Sequence, residues 1–196
     1  GPTGLDLNRG EILFIVGGNG SGKSTLMKVF TRLYEPESGG ILWDDTSVES
    51  NNVTDYRTLF SSVFSDFHLF DRLYGLPEIE EKVVNDMLGD LDIAHKTQYR
   101  DGAFTNTNLS TGQRKRLALA VALLENRPIL LLDELGADQD PEFRKRFYNE
   151  LIPGWKKEGR TLVIVSHEDQ YFHVADRTIV LSDGQTAIQR QNGATS

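Results

Sequence analysis

The 196-residue chain contains no cysteine and no long apolar run. Without cysteine it can form no disulfide bond, no thiolate zinc site and no cysteine nucleophile. No window approaches the roughly 18 to 20 uninterrupted apolar residues of a membrane span. The N-terminus also lacks the basic and apolar regions of a signal peptide. We therefore expect this chain to be soluble.

Positive charge is scarce as well. Lys and Arg number 21 against 29 Asp and Glu, a net charge of -8 that repels a phosphate backbone, so we expect no nucleic-acid partner. Hydrophobic residues (38%) and charged residues (26%) are near globular averages, which favours one compact domain. A strand pattern begins soon after Gly1, so we expect the chain to be part of a longer polypeptide.

Short runs of Val, Ile, Leu and Phe without alternation occur at 12–16, 129–132 and 162–165. Such runs are typical of strands that are covered on both faces of a parallel sheet. An amphipathic helical pattern at 26–33 and an almost wholly apolar one at 117–124 lie between them. Strand followed by helix, repeated, predicts an α/β core.

Proline marks one further predicted helix. Asp140 is a plausible N-cap, Pro141 suits the first helical position, and Pro153 should end or kink the helix.

The middle of the chain has a different pattern, with a predicted helix at 78–88 and a polar, turn-rich passage at 97–108. We interpret residues 66–128 as a helical subdomain inserted into a core made of 1–65 and 129–196.

The segment Gly17–Thr25 matches the phosphate-binding loop pattern in full, between a predicted strand and a predicted helix. Its glycines let backbone N–H groups surround phosphate oxygens, and the helix beginning near Lys23 points its positive end at them. Lys23 adds charge for the β- and γ-phosphates, and the Ser24 hydroxyl is placed to ligate Mg²⁺. A GTPase, kinase, motor or transporter ATPase all remain open at this point. The residues assigned to the nucleotide are Gly17, Asn19, Gly20, Ser21, Gly22, Lys23, Ser24 and Thr25.

Two acids end the apolar run at 129–132, which places their carboxylates at the carboxyl edge of the predicted sheet, where ligands collect. Asp133 is suited to hold Mg²⁺, and Glu134 is suited to polarise the attacking water.

Leu109-Ser110-Thr111-Gly112-Gln113 resembles the signature of ABC ATPases, usually Leu-Ser-Gly-Gly-Gln, with Thr111 replacing the first glycine. The order of phosphate loop, inserted helices, signature, acidic pair and a later strand ending in Ser166-His167 is also that of ABC ATPases. It spans nearly the whole chain. The segments 133–141 and 65–70 look more narrowly like the cyclic-peptide exporters, which include pyoverdine-precursor, syringomycin-type and microcin exporters.

The resemblance implies a single nucleotide-binding domain with a P-loop NTPase core, a mostly parallel sheet, the inserted helical subdomain and a partly truncated antiparallel β edge. It implies ATP and Mg²⁺ as ligands. Two copies of the domain would pair head to tail, so that Ser110, Gly112 and Gln113 of one copy face the γ-phosphate bound by the other. Ser110 can also serve as a helix cap.

Further roles follow from the same resemblance. His167 matches the histidine that contacts the γ-phosphate and helps hold the catalytic geometry. Asp140 matches the aspartate of the loop that communicates between paired sites, and it can equally be only a helix cap. Arg114, Lys115 and Arg116 could attract phosphate, but a basic run on one helix is more often solvated, so independently of the resemblance we expect them to form a solvated face.

Two positions depart from the family pattern. Ser65, followed by Asp66, stands where most relatives carry a glutamine that senses Mg²⁺, and either residue could reach the metal through water. The aromatic residue that stacks on adenine in the family would precede Gly1.

The leading functional hypothesis is an ATPase that powers export of a cyclic or siderophore-type peptide. Its partners would be a second copy of the domain and a transmembrane domain N-terminal to Gly1 in the same polypeptide. The location would be the cytoplasmic face of the inner membrane. The alternatives are a nucleotide-gated binding module with little turnover and a soluble ABC ATPase without a transport role.

Overall fold

The computed structural model of the protein describes residues 4–191 and the side chains of residues 4–186. Its strands form one six-stranded sheet and two small two-stranded sheets. In chain order the strands are β1 (Ile12–Val16), β2 (Leu42–Trp43), β3 (Thr46–Ser47), β4 (Phe60–Val63), β5 (Tyr99–Arg100), β6 (Ala103–Phe104), β7 (Ile129–Asp133), β8 (Thr161–Val165), β9 (Arg177–Ser182) and β10 (Gln185–Gln191).

Helices lie between these strands. A π-helical turn at Phe147–Leu151 joins two of the α-helices, and a 3-10 helix spans Asp169–Val174. The α-helices in this part of the chain are α1 (Lys23–Phe30), α2 (Val53–Arg57), α3 (Glu81–Asp90), α4 (Thr111–Leu124), α5 (Pro141–Arg146) and α6 (Ile152–Lys157).

The main sheet has the strand order β10-β9-β1-β8-β7-β4. Neighbouring strands from β9 to β4 run parallel, and β10 runs antiparallel to β9 at one edge. Because the carboxyl ends of parallel strands meet at one edge, the loops that follow β1, β4, β7 and β8 converge there. The predicted strands at 12–16, 129–132 and 162–165 are confirmed.

Both faces of β1 are covered, which explains its unbroken apolar run. Leu13 and Ile15 belong to a buried cluster with Met27, whereas Phe14 belongs to a second cluster with Phe147. Phe14 is fully buried, so its truncation to alanine would cost about 3 to 5 kcal/mol. The core therefore lies on both sides of the sheet and holds its carboxyl edge in place.

Between β4 and β7 the chain forms α3, the β5–β6 hairpin and α4. The helix predicted at 78–88 is observed at Glu81–Asp90, because Glu80 keeps an extended backbone. The passage read as turn-rich contains the hairpin, with Asp101 and Gly102 both at positive φ. Asp-Gly favours this kind of two-residue turn, so the hairpin could have been predicted from that pair.

Two helix ends differ from expectation. The helix after the phosphate loop ends at Phe30 rather than at Leu33, because Arg32 has a left-handed backbone (φ 58°). The helix at 141 starts as predicted but does not end at Pro153, since α6 continues to Lys157. The π-helical turn just before α6 widens the helix where the proline lacks its N–H donor.

Candidate active site

The phosphate loop joins β1 to α1 and depends on its glycines. Gly20 and Gly22 have φ of 77° and 95°, which side chains rarely adopt. A Cβ on Gly17 would lie 2.3 Å from the Leu181 carbonyl oxygen, so only glycine fits there. The loop therefore presents its backbone N–H groups and the start of α1 at the carboxyl edge of the sheet.

Lys23 is buried in the first turn of α1. Its ammonium Nζ donates to the carbonyl oxygens of Gly17 and Gly18, each at 3.0 Å. These bonds hold a positive charge across the loop, where it complements phosphate oxygens.

Asp133 ends β7 and is 1% exposed. Ser65 lies in the loop after β4. Its hydroxyl donates to Asp133 Oδ2 at 3.1 Å, and its N–H lies 3.4 Å from the same oxygen. Oδ1 is buried, and no residue in the described part of the chain bonds to it. A buried carboxylate oxygen without a donor fits a cation.

The ligand chemistry here suits Mg²⁺. Within residues 4–191, no group of three or more His, Cys, Asp or Glu could hold a metal ion, but Mg²⁺ does not need so many protein ligands. Mg²⁺ is usually bound by one or two carboxylates, with water and substrate phosphates completing its shell. Asp133 and the hydroxyls of Ser24 and Ser65 match that requirement. Asp66, by contrast, forms a 2.8 Å ion pair with Lys28.

Glu134 follows Asp133 with a left-handed backbone (φ 52°). Its carboxylate Oε1 lies 2.9 Å from Nε2 of His167, in the loop after the neighbouring strand β8. Both side chains are partly exposed, at 34% for Glu134 and 42% for His167. The two predicted catalytic residues are thus in direct contact where solvent can reach them.

The signature segment forms the start of α4. Ser110 and Gln113 make a reciprocal capping box, in which each side chain accepts from the other residue's backbone N–H. Ser110 is exposed at this helix end. A Cβ on Gly112 would lie 2.3 Å from the Asp138 carbonyl oxygen, so the glycine lets α4 pack closely on the loop after β7.

The expected basic face on α4 is wrong for Lys115 and Arg116, which are 6% and 7% exposed; Arg114 is exposed as expected. Lys115 Nζ donates to the Glu134 carbonyl oxygen at 2.7 Å and pairs with Asp138 at 2.7 Å. The almost wholly apolar stretch at 117–124 that follows could have predicted this burial. A charged side chain on a buried helix then needs a hydrogen-bond or ion-pair partner.

Arg116 extends the same network. Its Nε donates to Gln139 at 2.8 Å, it pairs with Asp140, and its guanidinium lies 3.7 Å from the Phe143 ring centroid. Asp140 also caps α5 by accepting from the Phe143 N–H at 2.9 Å. That backbone hydrogen bond, with a smaller contribution from Arg116, lowers the pKa of Asp140.

The family model for ABC transporters matches residues 2–137. The chain belongs to the ABC transporter family. The ATP-binding protein SyrD of Pseudomonas syringae pv. syringae is 52% identical over 188 residues, which are 94% of this chain and 33% of that protein. An ATP-dependent lipid A-core flippase of Aliivibrio fischeri is 31% identical, over 97% of this chain and 34% of the flippase. The chain thus spans about a third of the length of these relatives.

Solved ABC structures share the fold. A bacterial Atm1-family ABC exporter with ATP bound superposes with a TM-score of 0.83 and 26% identity, over 97% of this chain and 35% of the exporter. The dimeric ATP-binding cassette MJ0796 bound to ADP and Pi gives a TM-score of 0.82 at 24% identity, over 98% of this chain and 90% of that cassette. The predicted α/β fold of a P-loop NTPase is therefore confirmed.

This ABC domain is an ATPase, as the family's members are. None of its helices within residues 4–191 has the length and apolar character needed to cross a membrane.

Proposed function

We propose that two copies of this domain pair head to tail around ATP and hydrolyse it to drive an attached membrane-spanning exporter. The contact between Glu134 Oε1 and His167 Nε2, beside Asp133 and the phosphate loop, carries the proposal. It joins the proposed base, Glu134, to a side chain that can orient it, at the sheet edge where the phosphate loop begins.

The phosphate loop and Lys23 bind the phosphates of ATP, and Gly17, Asn19, Gly20, Ser21, Gly22 and Thr25 supply the rest of the cradle. Ser24, Asp133 and Ser65 would hold Mg²⁺, and the Ser65 hydroxyl also positions the Asp133 carboxylate. Bound there, Mg²⁺ would neutralise charge on the β- and γ-phosphates.

Glu134 then acts as general base. A water molecule attacks the γ-phosphorus, its proton passes to the Glu134 carboxylate, and the bond to the β,γ-bridging oxygen breaks to give ADP and phosphate. His167 holds the carboxylate and contacts the γ-phosphate. An orienting hydrogen bond of this kind keeps the base within reach of the attacking water.

The signature supplies the second half of each site. Ser110, Gly112 and Gln113 lie at the N-terminal end of a 14-residue helix, which favours anions; Ser110 is exposed there and Gly112 is buried. The two hydrogen bonds between Ser110 and Gln113 satisfy the cap within the protomer, so the helix end is formed before a partner arrives. The partner's bound ATP completes the site.

The cargo we propose is a cyclic or siderophore-type peptide. The segments 65–70 and 133–141, which resemble those of cyclic-peptide exporters, support it, as does the 52% identity to SyrD. The transmembrane domain would belong to the same polypeptide, with this domain on the cytoplasmic face of the inner membrane.

Phosphate release from ATP at increasing protein concentration tests the proposal. We expect activity per molecule to rise with concentration and to require Mg²⁺. Glu134→Gln should lower it by about 100-fold or more while ATP still binds, because the base is lost. Glu78→Gln, at an exposed carboxylate before α3, is the matched control.

Each outcome separates the alternatives. A wild-type rate in Glu134→Gln would remove the base assignment. A specific activity that is flat with concentration would contradict the composite site. ATP binding without turnover, in the chain joined to its membrane domain, would favour the nucleotide-gated module.

A further inference from the structure

Tyr148 lies in the π-helical turn and is 1% exposed. Its hydroxyl oxygen lies 2.8 Å from Ser166 Oγ, which also accepts from the Glu168 N–H at 3.0 Å. Ser166 and Glu168 flank His167 in the chain. The tyrosine hydroxyl is therefore bonded to the loop that carries His167.

The same side chain packs on the loop that carries Glu134. A Cβ on Gly136 would lie 2.6 Å from the Tyr148 hydroxyl oxygen, so the phenol touches the backbone two residues beyond Glu134. Tyr148 also lines a small pocket between these loops, together with Glu134 and His167.

The ring of Tyr148 has little freedom to move. It stacks on Tyr171 with centroids 4.3 Å apart and an interplanar angle of 11°, and it makes edge contacts with Phe14 and Phe147. Close-packed interiors transmit displacements rather than absorb them. Burial raises the pKa of Tyr148 to about 12, so the hydroxyl keeps its proton at neutral pH.

A second side chain of the same helical segment, Arg144, contacts both loops. Arg144 in α5 donates to the carbonyl oxygens of Gly136 and Gln139, at 3.2 and 2.9 Å. Its Nη1 lies 3.3 Å from Glu168 Oε1. The π-helical turn that follows is a rare feature that is frequent at functional sites, and Tyr148 lies within it.

We propose that Tyr148 is a positioning residue that sets the separation of Glu134 and His167. It acts through the Ser166 hydroxyl on one side and the Gly136 backbone on the other. This inference rests on the catalytic roles proposed above for Glu134 and His167.

Tyr148→Phe tests it by removing one oxygen and keeping the ring stack. Because misplacing a catalytic group by about 1 Å can cost up to about 100-fold, we expect kcat to fall about tenfold. The KM for ATP should change by less than about twofold, since ground-state binding is not touched. Tyr56→Phe is the matched control, because that buried hydroxyl donates to the Phe30 carbonyl oxygen at 2.7 Å on the other side of the sheet.

Ser166→Ala removes the same hydrogen bond from its other end, which covers a folding failure of the first variant. The double variant should be no slower than the slower single one, because both lose one shared bond. Wild-type kcat in both single variants would overturn the inference. A wild-type rate in Glu134→Gln would instead remove the proposed function beneath it.

A second readout needs no turnover. The imidazole resonance of His167, assigned with His167→Ala, should move in Tyr148→Phe and stay in place in Tyr56→Phe. An unmoved resonance would also overturn the inference.

Discussion

The imidazole Nε2 of His167 lies 2.9 Å from Oε1 of Glu134. The two residues follow the adjacent parallel strands β8 and β7, and the Glu134 N–H donates to the carbonyl oxygen of Val165 at 3.1 Å. The pairing of the strands therefore sets the distance between the side chains. A small shift of either loop would separate the base from the group that holds it.

His167→Ala should lower kcat by about 100-fold, comparable to losing one well-placed hydrogen-bond donor in an active site. The KM for ATP should change little, because the phosphate loop is intact. His167→Gln should recover part of the loss, since its amide can still donate to the carboxylate. Steady-state phosphate release gives kcat and KM for His167→Ala, His167→Gln and the unmodified protein.

His173→Ala is the control for that experiment. His173 is exposed in the 3-10 helix of the same region, where its ring bonds to the Gln170 carbonyl oxygen, three residues away in the chain. A loss in His167→Ala no larger than in His173→Ala would contradict the role of His167.

Ser65→Ala should raise the Mg²⁺ concentration needed for half-maximal hydrolysis by about 3- to 10-fold. The hydroxyl donates to Asp133 Oδ2, and a hydrogen bond of this kind contributes about 0.5 to 1.5 kcal/mol net. Without it the carboxylate is free to rotate away from the cation. A Mg²⁺ titration of phosphate release at fixed ATP is the measurement.

Asp66→Asn separates the two residues that could replace the glutamine. It weakens the ion pair with Lys28 and leaves the contact between Ser65 and Asp133 in place. We expect its Mg²⁺ titration to match that of the unmodified protein. A larger shift in Asp66→Asn than in Ser65→Ala would reverse the assignment of the metal position.

The strands and the phosphate loop were predictable because they depend on local patterns. An unbroken run such as 12–16 indicates a strand covered on both faces, and the glycines of the loop mark backbone that other residues cannot adopt. The contact between Glu134 and His167 was accessible only through resemblance. The contact depends on β7 and β8 being neighbours in the sheet, and the order of the strands along the chain does not determine which of them pair.

Tertiary burial explains most of what was missed. Lys115 and Arg116 looked like a solvated face because adjacent charges usually are, whereas α4 is enclosed and both find partners in the loop after β7. Pro153 predicted an end or a kink; the end is not observed, because a π-helical turn precedes the proline and α6 continues to Lys157. Such turns have no strong sequence pattern, so Tyr148 was not singled out either.

Lys115→Met should destabilise the protein by about 1.5 to 3 kcal/mol, the usual net contribution of a hydrogen bond to a charged group. The lost partners are the Glu134 carbonyl oxygen and the Asp138 carboxylate. The Glu134 carbonyl would lose its shorter hydrogen bond and keep the one from the Ala137 N–H at 3.3 Å, so the base would be held less firmly and kcat should fall. Urea unfolding and phosphate release measure the two effects.

Lys82→Met is the matched control, since its ion pair with Asp86 is exposed on α3. We expect it to unfold at the same urea concentration as the unmodified protein, because exposed pairs of this kind contribute little. Equal midpoints for the two variants would show that the buried contacts of Lys115 do not stabilise the fold.

We expect the stabilisation that ionised Asp140 contributes to be lost in acid. Its pKa is lowered in the folded state, first by the Phe143 N–H and then by Arg116. A lowered folded pKa means that the ionised group stabilises the fold above its unfolded pKa, about 4. That contribution is lost as the pH falls through the folded pKa.

Asp140→Asn isolates the charge, because asparagine caps helices about as well as aspartate. We expect a lower melting temperature than the unmodified protein at pH 7, and the gap should close as the pH falls from the unfolded pKa, about 4, through the lower pKa that Asp140 has in the folded protein. Asp140→Ala also loses the cap, so its gap should persist in acid. A gap between Asp140→Asn and the unmodified protein that does not change with pH would mean that the cap geometry, rather than the charge, links α5 to α4.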